Sequence, residues 1–257
     1  MSTTFPFALV LLANCLLISV AQAQSAGAEL DLGVAAYKQA RYEEAITHFK
    51  QSITLDPNRA VSHMYMALAF AQQYIPGADT PDNSQMAQQA IDEFEKVLLL
   101  NPNPEEERTS LKGIASLLFN MKQFQRAKEY HRKVLVIDPD DAETYYAVGV
   151  IDWVESYQPR MEERAKLGLK PGEPFFNRSE CWTLRAKTED MVKEGIEALT
   201  KALSLRHDYD DAMAYMNLMY RERADIQCGN KQAYDADIKM ADQWVDMTMA
   251  TKEGKAN

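Results

Sequence analysis

The sequence predicts an all-α fold built from repeated pairs of helices. Four segments share one spacing, in which a small residue is followed four places later by a bulky one, seven places later by a small or β-branched one, and twelve places later by a residue that ends a helix. The four copies are Ala45, Phe49, Ser52 and Pro57; Ala90, Phe94, Val97 and Pro102; Ala127, His131, Val134 and Pro139; and, in degenerate form, Gly195, Leu199, Ala202 and His207. This spacing places the first three residues of each copy on one helical face, which a single helix cannot bury alone. We therefore expect helical hairpins that stack on one another.

A first helix precedes each copy and carries a small residue of its own. The four pairs are Leu32-Gly33, Leu68-Ala69, Ile114-Ala115 and Val148-Gly149. A small side chain lets two helix backbones approach closely, so these residues mark where the two helices of a hairpin cross. Each of the first three copies ends in a proline, and an acid or amide lies directly before it. Proline cannot extend a helix and disfavours helix in the preceding residue, so these positions mark helix ends.

The segment AYKQARYEEAITHFKQSITLDPN resembles the tetratricopeptide repeat, a helix-turn-helix unit of about 34 residues. The resemblance extends over residues 26–250, with departures at Ala36, His131, Gly195 and His207. It implies a right-handed solenoid of four to five units that serves as a protein-interaction scaffold. The expected units are residues 26–59, 60–104, 105–141 and 142–209, followed by a capping unit at residues 210–250.

The fourth unit is longer than the others by about one repeat of 34 residues. We assign the excess to a helical insert at residues 154–190. Within it the sequence favours a short charged helix at residues 160–166 after Pro159, a loop, and a long helix that Ser179 caps and that ends at Leu205. The insert contains four aromatic residues, Tyr157, Phe175, Phe176 and Trp182. We expect them to pack either on this chain or on a partner.

The first 23 residues contain no charged side chain and are mostly apolar, and Ala21-Gln22-Ala23 supplies the small residues that a signal peptidase reads. We predict a cleaved signal peptide at residues 1–23 and a periplasmic or secreted domain at residues 24–257. An uncleaved N-terminal membrane anchor is the alternative, although the apolar run is short for a span. Lipid attachment at Cys15 is disfavoured because Asn14 is large for its position.

The composition disfavours some classes of partner. The formal net charge of -10 disfavours nucleic acids and anionic membranes. We expect no membrane insertion after signal cleavage. Cys181 and Cys228 follow the cleavage site, and an oxidising compartment permits a disulfide between them. Two separate buried thiols are the alternative.

No motif in the sequence indicates catalysis. The chain lacks a glycine-rich phosphate loop, a nucleophile elbow and a zinc-protease helix, and its four histidines occupy unrelated positions. We therefore expect no enzymatic activity, no metal site and no cofactor.

The first helices of the hairpins predict a protein-binding groove. In a stack of helical hairpins these helices line the concave side, and residues three or four apart share a face. The candidate binding residues are Tyr37, Met66, Phe70, Tyr74, Lys112, Phe119, Tyr146, Trp153 and Tyr220. The same residues also suit a packed core, so the two interpretations differ in how exposed the side chains are. A permanent structural subunit of a cell-envelope complex, with an interface on the insert or the convex face, is the alternative function. The sequence identifies neither the partner nor the oligomeric state.

Overall fold

The structure is a computed structural model that describes residues 25–170, 172–175 and 179–256, and helices are the only regular secondary structure in those ranges. The predicted signal peptide lies outside them. The helices are α1 (25–38), α2 (Tyr42–Leu55), α3 (Ala60–Gln73), α4 (Pro81–Leu99), α5 (Pro104–Asn120), α6 (Phe124–Ile137), α7 (Ala142–Lys166), α8 (Ser179–Leu205), α9 (Asp210–Asp225) and α10 (Lys231–Ala256). The all-α prediction is confirmed.

The helices form two compact units, which are described separately. The first unit ends at Gln123 and contains α1 to α5, and the second begins at Phe124 and contains α6 to α10. The predicted hairpin at residues 105–141 is divided by this boundary, because α5 belongs to the first unit and α6 to the second.

In the first unit, the repeated small and bulky residues meet as the spacing predicts. A Cβ atom added at Gly33 of α1 would lie 2.4 Å from Cε1 of Phe49 on α2, so only glycine fits at this crossing. At the next position of the template, the Ser52 hydroxyl donates to the carbonyl oxygen of Ala26 at 2.8 Å and lies 2.8 Å from the Ser62 hydroxyl. The template residues therefore form the contacts between successive helices.

In the second unit, α7 packs on α8 and α9, and α9 packs on α10. A Cβ atom added at Gly149 of α7 would lie 2.5 Å from Cγ of Leu199, which repeats the contact between Gly33 and Phe49. The fourth copy of the template has glycine where the other three have alanine, and this departure has a physical reason. A Cβ atom at Gly195 would lie 2.5 Å from Cε of Met219 and 3.0 Å from Cβ of Asp152, so this helix crossing is tighter than alanine allows.

The predicted insert is an extension of the hairpin formed by α7 and α8. The prediction of a separate short helix at residues 160–166 is wrong, because α7 continues through Pro159 to Lys166. Proline removes one backbone hydrogen bond from a helix interior. Contacts with α9 hold the last turns in place, because Arg160 and Arg164 both form ion pairs with Asp225. The second helix, α8, runs to Leu205 as predicted and begins at Ser179 itself.

Candidate protein-binding surface

A row of five aromatic rings lies along α7 and α9 in the second unit. The ring centroid of Tyr146 lies 5.0 Å from that of Tyr209 and 5.5 Å from that of Tyr215. The Trp153 ring lies 5.4 Å from Tyr215 and 5.0 Å from Tyr157. Tyr215 meets both of its neighbours edge to face, an arrangement that stabilises aromatic pairs. We call these five residues the aromatic strip.

The periodicity of the α-helix explains why α7 supplies three of the rings. Tyr146, Trp153 and Tyr157 are separated by seven and four residues, so they lie on one face of α7. Tyr215 projects from α9, which packs against α7, and Tyr209 immediately precedes α9. The continuation of α7 beyond Trp153 is what adds Tyr157 to the row.

The aromatic strip is the outer layer of the second unit's core. Tyr209 is buried and the other four rings are half-buried, and Tyr146, Trp153 and Tyr215 pack on buried residues that include Leu199. The indole Nε1 of Trp153 is shielded from solvent and has no hydrogen-bond acceptor among the described residues. A buried indole N–H usually donates a hydrogen bond, so the unpaired N–H of Trp153 is an exception.

Two arginines and one aspartate lie close to rings of the strip. The guanidinium of Arg206 lies 3.2 Å from the ring centroid of Tyr209, and that of Arg160 lies 5.4 Å from the ring centroid of Tyr157. Burial and the nearby Asp211 raise the pKa of both Tyr146 and Tyr215. The phenols therefore stay neutral at physiological pH and remain able to donate hydrogen bonds.

Three predicted binding residues belong to the second unit. Tyr146 and Trp153 lie in the aromatic strip. Tyr220 is half-buried against the core, and the guanidinium of Arg223 lies 4.5 Å from its ring centroid. The candidate residues did not include Tyr215, which lies beside Met216, a core residue that is only 2 % exposed.

The other two residues missed from the strip have separate explanations. Tyr157 was assigned to an insert that began after Trp153, whereas α7 continues without interruption. The i, i+4 spacing from Trp153 was the available signal. Tyr209 lies outside the helix, so helical periodicity could not identify it.

The six predicted residues of the first unit are partly or fully packed. Met66 and Phe70 are 5 % and 6 % exposed, which makes them core residues of that unit. The Tyr37 ring contacts those of Tyr42 and Tyr65 edge to face, with centroids 5.6 and 6.0 Å away. Tyr74, Lys112 and Phe119 are half-buried. The burial of Met66 and Phe70 therefore favours a role in the packed core over a role in a binding groove.

The insert's aromatic residues differ in exposure. Phe175 is 1 % exposed and belongs to the core of the second unit, with the Arg164 guanidinium 5.5 Å from its ring centroid. Trp182 is 56 % exposed. Tyr157 belongs to the aromatic strip, and Phe176 lies outside the described residues. The insert therefore packs partly on its own chain and leaves one tryptophan exposed to solvent.

A disulfide joins Cys181 to Cys228, with the two Cα atoms 5.5 Å apart. Cys181 lies in the first turn of α8, and Cys228 lies in the turn between α9 and α10. The bond fixes the start of α8 against the last hairpin.

The described residues contain no group of three or more His, Cys, Asp or Glu side chains that could hold a metal ion. None of the helices in the described ranges is both long enough and apolar enough to cross a bilayer.

Two models of the family described as Tetratricopeptide repeat match the chain, at residues 27–59 and 113–141. This chain contains tetratricopeptide repeats. The first match covers most of α1 and all of α2, and the second covers the end of α5 and all of α6. Proteins with tetratricopeptide repeats are protein-interaction scaffolds.

Known tetratricopeptide-repeat proteins resemble this one in sequence and fold. The mitochondrial import receptor subunit TOM70 of Homo sapiens is 27 % identical over 165 residues, which are 63 % of this chain and 26 % of the relative. The TOM70 of Rattus norvegicus matches over the same shares. This tetratricopeptide-repeat protein thus spans about a quarter of the length of the curated relatives it matches.

Solved structures show the fold over nearly the whole chain. The structure of MamA 41-end from Desulfovibrio magneticus RS-1 is 19 % identical, with a TM-score of 0.60 over 91 % of this chain and 98 % of that chain. YrrB, described as a TPR protein with an unusual peptide-binding site, is 14 % identical, with a TM-score of 0.56 over 89 % of this chain and 91 % of that chain. At these identities the likeness shows the fold alone.

Proposed function

We propose that this tetratricopeptide-repeat protein is an exported scaffold that binds an apolar segment of a partner protein along the aromatic strip. The observation that carries the proposal is the continuous row of rings from Tyr209 to Tyr157, four of them half-buried. Half-buried aromatic rings offer a partner a large apolar contact area at little cost in side-chain entropy.

The chemistry of the strip favours a segment with apolar side chains and free backbone carbonyls. Apolar side chains would cover the exposed faces of the rings and remove them from water. The neutral phenols of Tyr146 and Tyr215 are donors suited to the backbone carbonyls of such a segment. The proposal assigns no enzymatic activity to the chain.

Export is part of the proposal, and two features support it. Residues 1–23 have the composition of a signal peptide, and the pairing of Cys181 with Cys228 suits an oxidising compartment such as the periplasm or the cell exterior. N-terminal sequencing of the protein from its own host tests this part. A mature N-terminus at Gln24 supports export with cleavage, whereas an intact leader in the membrane fraction supports the anchor.

A peptide-display library presented to the purified protein tests the binding surface. Isothermal titration calorimetry of the enriched peptides then compares Trp153→Ala with Trp182→Ala. Both variants remove a tryptophan from the second unit, but Trp182 is 56 % exposed and lies outside the strip. We expect Trp153→Ala to weaken binding at least about tenfold and Trp182→Ala to leave it unchanged. If only Trp182→Ala weakens binding, the interface lies on the insert and the strip is not the binding surface.

A further inference from the structure

A cavity of about 560 Å³ lies between α7, α9, α10 and the segment that follows α7. Met161, Leu169 and Ile238 contribute apolar walls. The segment after α7 is held over α10 because the Tyr234 hydroxyl donates to the carbonyl oxygen of Gly172 at 3.1 Å. The volume is typical of small-molecule sites, which measure roughly 300–1,000 Å³.

One of the arginines that line the cavity has a structural role. The Arg164 guanidinium donates to Asp225 Oδ2 at 2.9 Å, to the carbonyl oxygen of Glu173 at 3.0 Å, and to the carbonyl oxygen of Lys170. These bonds connect α7, α9 and the segment after α7, so Arg164 fixes the wall of the cavity.

Two further arginines, Arg160 and Arg221, line the cavity. Nε of Arg160 forms an ion pair with Glu222 at 2.8 Å but makes no hydrogen bond among the described residues, and Nη1 of Arg160 donates to Asp225 at 3.0 Å. Nε of Arg221 donates to Asn217 at 2.9 Å, and its Nη2 donates to Asp242 at 2.8 Å. Both guanidinium groups belong to the cavity lining, where the side chains of Arg160 and Arg221 are 16 % and 40 % exposed.

The charges of the arginines and acids near the cavity favour the binding of one more negatively charged group. Asp242 is 64 % exposed, so water and salt screen its pair with Arg221. Burial raises the pKa of Glu222 to about 7, so this carboxyl carries only part of its charge near neutral pH. Among the described residues that line the cavity, Arg160, Arg164 and Arg221 therefore outweigh the acid Asp225.

We propose that this cavity binds a small amphipathic carboxylate, with its apolar body against Met161, Leu169 and Ile238 and its carboxylate on Arg160 and Arg221. A carboxylate offers two oxygens in a plane, which match the donors of a guanidinium. A ligand with a single charge fits better than a dianion, because Glu222 and Asp225 already neutralise part of the positive charge.

Calorimetric titration of the purified protein with 4-phenylbutyrate and with its neutral amide, 4-phenylbutanamide, tests the proposal. The acid carries an apolar body of suitable size and one carboxylate, and the amide keeps the shape without the charge. We expect saturable binding of the acid and at least about tenfold weaker binding of the amide. Absence of binding by the acid, or equal binding of the two compounds, overturns the proposal.

Three variants locate the site. We expect Arg221→Gln to weaken binding of 4-phenylbutyrate about tenfold, because one charge-assisted hydrogen bond is lost. Ile238→Trp should abolish binding by filling the cavity. Arg185→Gln is the matched control, because Arg185 lies on α8, outside the cavity, and pairs with Glu189. Thermal melting establishes that each variant is folded. Unchanged affinity in folded Arg221→Gln and Ile238→Trp overturns the assignment.

Discussion

Lys128 of α6 donates a hydrogen bond to Asp152 of α7 inside the second unit, where the two side chains are 4 % and 0 % exposed. Lys128 also donates to Glu194 of α8 at 2.9 Å, and Arg132 donates to the same carboxylate at 2.7 Å. One buried ammonium thus links three helices.

Replacement of Lys128 by methionine should destabilise the protein strongly at pH 8. The change leaves Asp152 buried without its counter-charge, and breaking a buried pair in this way costs about 3–5 kcal/mol. The double variant Lys128→Met/Asp152→Leu should recover most of that loss, because it removes both charges. Urea denaturation measures each free energy of unfolding. Arg132→Met serves as the control, because Arg132 is 53 % exposed and its pair should contribute less than about 1 kcal/mol. An equal cost for the Lys128→Met and Arg132→Met variants would contradict this account of the network.

The same aspartate should make stability depend on pH. Burial raises the pKa of Asp152 from 3.8 to about 7, and its Oδ2 has no donor among the described residues. The folded state therefore binds this proton more tightly than the unfolded state, so the free energy of unfolding falls as pH rises from about 4 to about 7. The contribution is at most about 4 kcal/mol. Urea denaturation at pH 5 and pH 8 measures the difference, and Asp152→Asn should reduce it. An unchanged pH dependence in Asp152→Asn would assign the effect to other groups.

Glycine is required where α1 crosses α2. A Cβ atom at Gly33 would overlap the ring of Phe49, so Gly33→Ala should cost about 1–3 kcal/mol. Gly27 lies on the same helix, and a Cβ atom there would meet no atom within 4 Å. Gly27→Ala should therefore be neutral or stabilising by up to about 1 kcal/mol. Thermal melting compares the two variants, and an equal loss of stability in both would show that the ring contact does not decide the effect.

Loss of the disulfide should destabilise the second unit. Cys181 and Cys228 are separated by 47 residues, and closing a loop of that length is worth about 4 kcal/mol in the chain-entropy model. Cys181→Ser/Cys228→Ser should unfold at lower denaturant concentration than the oxidised protein. The reduced wild-type protein should behave like the double variant. Equal stability of the oxidised and reduced proteins would mean that the bond adds nothing to the fold.

The sequence predicted the hairpins well because their determinants are local. The contact of Gly33 with Phe49 follows from one spacing that recurs along the chain. The aromatic strip was predicted only in part, because it depends on tertiary contacts. Proline predicts a helix end, but Arg160 and Arg164 hold α7 together beyond Pro159 through Asp225, which lies more than sixty residues further along the chain. No local sequence pattern predicts the pairing of these arginines with Asp225.

Site-specific photo-crosslinking tests the central claim that the aromatic strip is the binding surface. A photoreactive phenylalanine analogue replaces Tyr157 in one protein and Trp182 in another, and each is irradiated with a peptide selected on the wild-type protein. Mass spectrometry then locates the adducts. The account predicts adducts from position 157 and none above background from position 182. Adducts from position 182 alone would contradict it and would place the interface on the exposed face of α8.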